Sequence, residues 1–336
     1  MTKPEHNVTD QNYSERGHLI YQGPPIVDFH SHVMRVLPIE GQPATEDPLA
    51  QSVTMFDVAK EFGVERIVTM CPPEDIAPLR ERFGKRIDFN GPIHKVKLDD
   101  PDDSAYELLD RFLEAGVVML KFWSAPRGRD RGLFVDAPWR IETVRRASAA
   151  GIRLFMVHVS DPDVWFNTVY SDAAKFGTKP SQYVGLERLL QMFPEVTWIG
   201  AHMGGDPEHP DHLEDLLTRY PNLYFDTSAT KWQVREISPR AQAIHDLVVR
   251  HPTRFLFGSD LVTRTGLVRE HYVSRYWCQR TLWESAWQGL SPIADPDFKN
   301  EAGEIVPPAL NGVNLPPDVL RQVYVDNALR LLDGVK

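Results

Sequence analysis

The stretch that most constrains the fold is PIVDFHSH, residues 25–32. Its apolar start predicts a buried β-strand, and side chains along a strand alternate between two faces. We therefore expect Asp28, His30 and His32 to point in the same direction. Two imidazoles on one rigid face can reach a single metal ion, although two core or surface histidines would give the same pattern.

The composition is that of an ordinary globular protein, with 42% hydrophobic and 25% charged residues in a chain of 336. The net charge of −10 argues against a nucleic-acid partner, because phosphate binding requires a basic face. Every apolar run is much shorter than the roughly 20 residues that span a membrane. The polar start lacks the apolar core of a signal peptide, so we expect a cytoplasmic protein.

Short apolar segments rich in β-branched residues recur along the chain and predict eight strands. These lie at 26–29, 66–70, 87–96, 117–121, 152–159, 196–202, 223–227 and 254–258. Helical periodicity separates most of them, at 53–62, 103–115, 141–150, 185–193, 213–220 and 241–250, and returns at 317–332. This order predicts an α/β fold, a (β/α)8 TIM barrel. A doubly wound sheet is the alternative, but the sequence has no G-x-G-x-x-G fingerprint.

Two segments lie outside the eight strand–helix units of a minimal (β/α)8 barrel. Residues 1–24 form a polar N-terminal extension, and the barrel domain at 25–336 carries a long insertion at 261–315 after strand eight. The first half of the insertion is rich in tyrosine and tryptophan. It could be a lid over the barrel mouth, an oligomer contact supporting a homodimer, or an extra helix packed on the barrel exterior.

Ionisable residues stand at the C-terminal ends of the predicted strands, where barrels of this kind carry their catalytic groups. They are His30, His32, Lys121, His158, His202 and Asp260, with Asp226 late in strand seven. Buried imidazole and carboxylate groups need partners, and a shared cation satisfies several of them together. The sequence therefore predicts a metal site at the barrel mouth.

These strand ends and their flanking residues resemble the metal-dependent amidohydrolase superfamily. The resemblance is to the amidohydrolase-2 group, which contains aminocarboxymuconate-semialdehyde decarboxylase. The matching segments are VDFHSH (27–32), MLK (119–121), MVH (156–158), IGAHMGG (199–205), YPNLYFDTS (220–228), FGSD (257–260) and NALRLL (327–332). Together they cover residues 25–260 and 316–333 in the family's order.

The resemblance implies one divalent metal ion, with Zn²⁺ as the first choice and Mn²⁺ as the second. His30, His32, His158 and Asp260 would be its ligands. His202 would stand beside the metal as an acid/base or polarising group, and Asp260 would also handle a proton. Lys121 would be an unmodified rim residue or, if carboxylated, a bridge between two metals.

Two reactions fit such a site. In a hydrolase, a metal-activated water attacks a lactone, ester or amide carbonyl, Asp260 takes the proton and His202 donates toward the oxyanion. In the alternative, a non-oxidative decarboxylase of an aromatic or unsaturated acid, His202 or Asp260 manages the proton that replaces carbon dioxide. The remaining possibilities are a hydratase, an isomerase or an inactive barrel that only binds a ligand.

Candidate substrate contacts suggest a small organic acid or its lactone, ester or amide. Arg35 lies just beyond the histidine pair, and a guanidinium binds carboxylates bidentately. Trp123 and Trp232 follow barrel strands and could pack against a planar substrate, with Lys121 at the same rim. The arginine-rich loop at 126–131 could bind an anion or be a solvated turn.

Overall fold

The computed structural model describes residues 5–37, 47–95 and 99–334. All eight predicted strands form within these ranges, as a parallel sheet in the order β8-β7-β6-β5-β4-β3-β2-β1-β9. The strands are β1 (Ile26–His32), β2 (Val64–Met70), β3 (Ile87–Pro92), β4 (Met119–Trp123), β5 (Leu154–His158), β6 (Thr197–Gly200), β7 (Leu223–Asp226), β8 (Phe255–Leu256) and β9 (Leu261–Val262). Strand three ends at Pro92, short of the predicted 96, and Val96 and residues 1–4 lie outside the described residues.

The barrel closes through one continuous piece of chain. β8 pairs with β7, β9 pairs with β1, and only residues 257–260 separate the two short strands. Within this seam the Phe29 N–H donates to the Phe257 carbonyl at 2.8 Å, and the Asp260 N–H donates to the His30 carbonyl at 2.7 Å. The predicted TIM barrel is confirmed, and β9, which completes it, occupies the first two residues of the predicted insertion.

Helices surround the sheet, and the predicted helical segments all coincide with observed ones. The helices are α1 (Ala50–Glu61), α2 (Pro73–Phe83), α3 (Asp103–Glu114), α4 (Pro138–Ala149), α5 (Asp163–Phe166), α6 (Ala173–Phe176), α7 (Lys179–Met192), α8 (Pro210–Arg219), α9 (Thr230–Ile237), α10 (Ala241–Arg250), α11 (Arg269–Glu284), α12 (Pro317–Arg321) and α13 (Asn327–Asp333). A π-helical turn, Gln322–Asp326, joins α12 to α13. None of the helices in the described ranges is long and apolar enough to cross a lipid bilayer.

The core has two parts, one inside the barrel and one between the sheet and its helices. Side chains from alternate strand positions fill the barrel interior, and α13 adds Ala328, Leu331 and Leu332 to this inner cluster. The larger outer cluster lies between the sheet and the helices. The polar strand ends therefore stand above a packed apolar base, which fixes their backbone positions.

The aromatic part of the insertion is α11, which packs on the barrel exterior against α1 and α9. Tyr272, Tyr276, Trp277 and Trp283 are fully buried there. The structure thus shows an exterior helix and not a lid built from these rings, while the oligomer contact stays a prediction. A two-stranded hairpin, β10 (Gln288–Leu290) and β11 (Ala309–Asn311), follows.

Candidate metal centre

The first histidine strand, β1, departs from strict alternation. Asp28 faces away from the barrel axis, and its Oδ2 accepts hydrogen bonds from the Tyr276 hydroxyl at 2.9 Å and Ser259 Oγ at 2.6 Å. The register of β1 against β2 shifts after Asp28, and this irregularity turns His30 into the barrel together with His32. The expectation that Asp28 would share their face is wrong.

Three of the four predicted ligands converge at the mouth. His30 Nε2 lies 3.3 Å from Asp260 Oδ1, and His32 Nε2 lies 3.1 Å from the same oxygen. One ligand atom from each residue lies within 4.8 Å of the others. Asp260 adopts a left-handed φ of 59° in the turn between β8 and β9, a conformation unusual for a non-glycine residue. Two imidazole nitrogens and a carboxylate oxygen form a donor set that suits a divalent cation.

Asp226 fixes the orientation of His30. Its Oδ2 accepts from His30 Nδ1 at 2.8 Å, and its Oδ1 accepts the backbone N–H groups of His202 at 2.9 Å and Ser228 at 3.0 Å. Burial alone would raise the pKa of Asp226, but the His30 imidazole and these hydrogen bonds hold that pKa well below its usual range. Ionised Asp226 places the His30 proton on Nδ1, which leaves Nε2 as a metal donor. The residues present therefore fit a divalent metal.

His202 is held as a proton acceptor toward the cavity. The Ser228 hydroxyl donates its proton to Asp226 Oδ1, so Ser228 Oγ can only accept from His202 Nδ1, which lies 2.8 Å from it. Burial and the neighbouring His158 lower the pKa of His202 well below its ordinary value. The neutral ring with its proton on Nδ1 presents the lone pair of Nε2. In this state Nε2 of His202 can accept a proton, and the predicted donation toward an oxyanion stays a prediction.

His158 stands beside the three converging groups but is directed elsewhere. Its Nε2 lies 2.7 Å from Asp161 Oδ1, while Asp161 Oδ2 accepts from the Tyr170 hydroxyl at 2.7 Å. The ring lies edge-on to His202, with 4.8 Å between centroids. Its role as a fourth ligand stays a prediction. Sequence reasoning missed Asp161, which follows His158 by three residues.

Lys121 lies against the candidate metal ligands and also lines the cavity above them, so its predicted contact with a substrate stays a prediction. Its side chain is buried and its Nζ lies 2.7 Å from His30 Nε2. Burial lowers the pKa of Lys121, partly offset by the carboxylates of Asp260 and Asp226. The amine is therefore more readily neutral than an exposed lysine, which suits a hydrogen bond to an imidazole nitrogen.

A cavity of about 680 Å³ opens above these groups. Its walls include the predicted contacts Trp123 and Trp232, and Trp232 packs edge-on against His202 with 5.4 Å between centroids. Arg127 from the loop after β4 also lines the cavity, with its guanidinium 5.7 Å from the centroid of Trp165. The volume and aromatic lining suit a small, partly planar molecule.

Arg35 lies away from this cavity, contrary to its predicted role. Its Nε donates to Asp75 Oδ1 at 2.5 Å and its backbone N–H donates to Asp75 Oδ2 at 2.9 Å. Asp75 belongs to α2, a helix whose two prolines, Pro73 and Pro78, obscured it in the sequence. The guanidinium is therefore occupied by a structural ion pair.

Comparisons with known proteins agree with the fold. Similar solved structures include 4-oxalomesaconate hydratase from Rhodopseudomonas palustris, at 16% identity and a TM-score of 0.53, covering 92% of this chain and 96% of that one. They also include 5-carboxyvanillate decarboxylase from Sphingomonas paucimobilis, at 13% identity and a TM-score of 0.53, with 93% and 99% covered. A probable 2-pyrone-4,6-dicarboxylic acid hydrolase from Acinetobacter baumannii has 14% identity and a TM-score of 0.50, with 92% and 99% covered.

At these identities the solved structures show the shared barrel fold alone. A comparison with curated protein sequences gave no match. The family model Amidohydro_2, described as amidohydrolase, matches residues 27–334. This range includes every strand end of the metal centre and confirms the resemblance seen in the sequence. The chain belongs to the amidohydrolase family.

Proposed function

We propose that this protein is a metal-dependent hydrolase that acts on a lactone, ester or amide of a small organic acid. The convergence of His30, His32 and Asp260, with ligand atoms within 4.8 Å below a cavity of about 680 Å³, carries the proposal. These residues would hold Zn²⁺ or, as second choice, Mn²⁺, with His158 as the predicted fourth ligand. Such an ion polarises a carbonyl and lowers the pKa of water to about 7.

The proton-handling groups favour hydrolysis. Burial would raise the pKa of Asp260, but the imidazoles of His202, His32 and His30 hold it well below its ordinary value, so the carboxylate is ionised. His202 adds the lone pair of its Nε2. Attack by water requires a base that removes a proton, and both groups rest in the accepting form. After accepting that proton, either group can return it to the leaving oxygen or nitrogen.

Decarboxylation is the second candidate, favoured by the aromatic walls of the cavity. Trp123, Trp165 and Trp232 line it and would pack against the planar ring or conjugated chain of an unsaturated acid. That reaction requires a group that protonates carbon as carbon dioxide leaves. His202 rests without a proton on Nε2, which makes this the weaker candidate.

An assay of the metal-loaded protein separates the two. We expect acid release from lactones, esters or amides of small organic acids, and no carbon dioxide from aromatic or unsaturated acids. Carbon dioxide release without hydrolysis would overturn the hydrolase in favour of the decarboxylase. Turnover of neither substrate class would overturn both.

We expect the variant His202→Gln to lower kcat by about 10²- to 10⁴-fold while metal content stays unchanged, because a general base is removed. His251→Gln is the matched control, since His251 lies between α10 and β8 at the opposite end of the barrel. Equal kcat values for the two variants would refute the assigned role of His202.

A further inference from the structure

A second cavity, of about 430 Å³, lies beside the one above the metal centre. The two cavities share Asp260, Trp165 and Trp232 in their walls. The second is also lined by the start of α9, the segment after β9 and the start of α11. A molecule bound at the metal centre can therefore extend past Asp260 into this second space.

Three cationic side chains line the second cavity: Lys231, Arg264 and Arg275. Arg275 is buried and its Nη2 lies 3.2 Å from Glu5 Oε1. Within the described parts of the chain, Lys231 and Arg264 form no ion pair. The other acidic group in the lining is Asp260, which belongs to the metal centre. Positive charge is thus in excess here, in a protein whose net charge is −10.

The nearby carboxylates contact other groups and form no ion pair with Lys231 among the described residues. Asp295 Oδ2 lies 2.5 Å from Arg235 Nη1. Asp297 Oδ2 accepts from Trp165 Nε1 at 2.9 Å. Lys231 is half-buried and Arg264 is exposed, so an anion supplied from outside the chain can reach both cations.

The pKa of His271, in the first turn of α11, reflects the same excess of positive charge. Burial, followed by the charges of Arg275, Arg264 and Lys231, lowers the pKa of His271 to about 3. The first residues of α9 add unpaired N–H groups and the positive end of a helix dipole to the opposite wall. Both walls therefore favour a negatively charged group.

We propose that the second cavity binds a carboxylate group of the substrate through Lys231 and Arg264, at a distance from the reacting carbonyl. The substrate class is then an organic acid whose free carboxylate is separate from the bond that is cleaved. The claim that this anion is part of a substrate whose reacting carbonyl lies at the metal centre rests on the proposed function. The claim that the second cavity binds an anion does not depend on it.

Isothermal titration of metal-free protein with isophthalate tests the proposal without any catalytic step. We expect the wild type to bind, and Lys231→Met and Arg264→Met each to raise the Kd roughly tenfold or more, since a charge-assisted hydrogen bond is lost. Arg131→Met is the matched control, because Arg131 is an exposed arginine in the loop after β4. Lys231→Arg should retain binding, and thermal melts check that each variant is folded.

Unchanged affinity in Lys231→Met and Arg264→Met, or no binding to the wild type, would overturn the proposal. A parallel titration with inorganic phosphate separates two anion chemistries. If phosphate bound more tightly than isophthalate and the same variants lost this binding, the ligand group of the second cavity would be a phosphate and not a carboxylate. Because these titrations need no turnover, their failure is distinguishable from failure of the hydrolase assay.

Discussion

Asp226 connects several parts of the candidate metal centre. It is buried at the end of β7 and binds the His30 ring, the His202 backbone and Ser228 at once. A carboxylate in this position sets the tautomer of a metal-binding imidazole and increases its basicity. We therefore expect the residue to act through His30.

We expect Asp226→Asn to lower metal affinity by about 10- to 100-fold, because an amide cannot enforce the Nδ1–H tautomer of His30. Competition with a chromogenic chelator measures this affinity. Asp215→Asn is the control, since Asp215 pairs with Arg219 on the surface of α8. Equal affinities of the two variants would show that Asp226 does not position His30.

At the scale of elements, the turn between β8 and β9 both closes the barrel against β1 and carries the candidate ligand Asp260. Gly258 lies in this turn, and a Cβ at that position would come within 2.9 Å of His30 Cβ and 3.1 Å of Ser228 Cβ. Contacts this short force the turn away from β1. Because Asp260 follows two residues later, any such displacement also moves a candidate ligand.

We expect Gly258→Ala to reduce the free energy of unfolding by about 1–3 kcal/mol, as overpacking of a buried site does, and to weaken metal binding. Urea unfolding and metal titration measure the two effects. Gly17→Ala is the control, because its Cβ would meet no heavy atom within 4 Å. Wild-type metal affinity in Gly258→Ala would show that the turn does not set the position of Asp260.

The sequence predicted the elements well because each strand is a short β-branched run bounded by turn residues. It failed where an orientation depends on contact between distant elements. His30 turns to the opposite face from Asp28 because the register of β1 against β2 shifts after Asp28, and Arg35 is paired with Asp75 on an unpredicted helix. The contact of His158 with Asp161 is a local pairing that the strand pattern does not show, and the role of His158 as a ligand stays a prediction.

At the scale of the whole molecule, the cationic wall of the second cavity has a consequence for stability. His271 has a pKa of about 3 in the folded protein and 6.5 as its ordinary value. Between these values the unfolded chain binds a proton that the folded chain excludes. The free energy of unfolding therefore falls as the pH drops from about 6.5 toward 3.

We expect His271→Gln to lose less stability than the wild type between about pH 7 and about pH 5, because this proton linkage is removed. Urea unfolding at both pH values, in buffer without carboxylate or phosphate, measures the difference. His94→Gln serves as the control, since His94 lies outside the second cavity. If the free energy of unfolding fell equally between these two pH values in His271→Gln and in the wild type, the cations of the second cavity would not lower the pKa of His271 as stated.

The barrel as a whole brings residues 30, 32 and 260 to one point by closing its first strand against its last. Elemental analysis after saturation with Zn²⁺ or Mn²⁺ and desalting tests this convergence most directly. We predict about one ion per chain in the wild type and in His251→Ala, and a large loss in His32→Ala, because three or four protein ligands hold such an ion. A wild type without bound metal, or a His32→Ala variant that retains the full amount, would contradict the assignment of the centre.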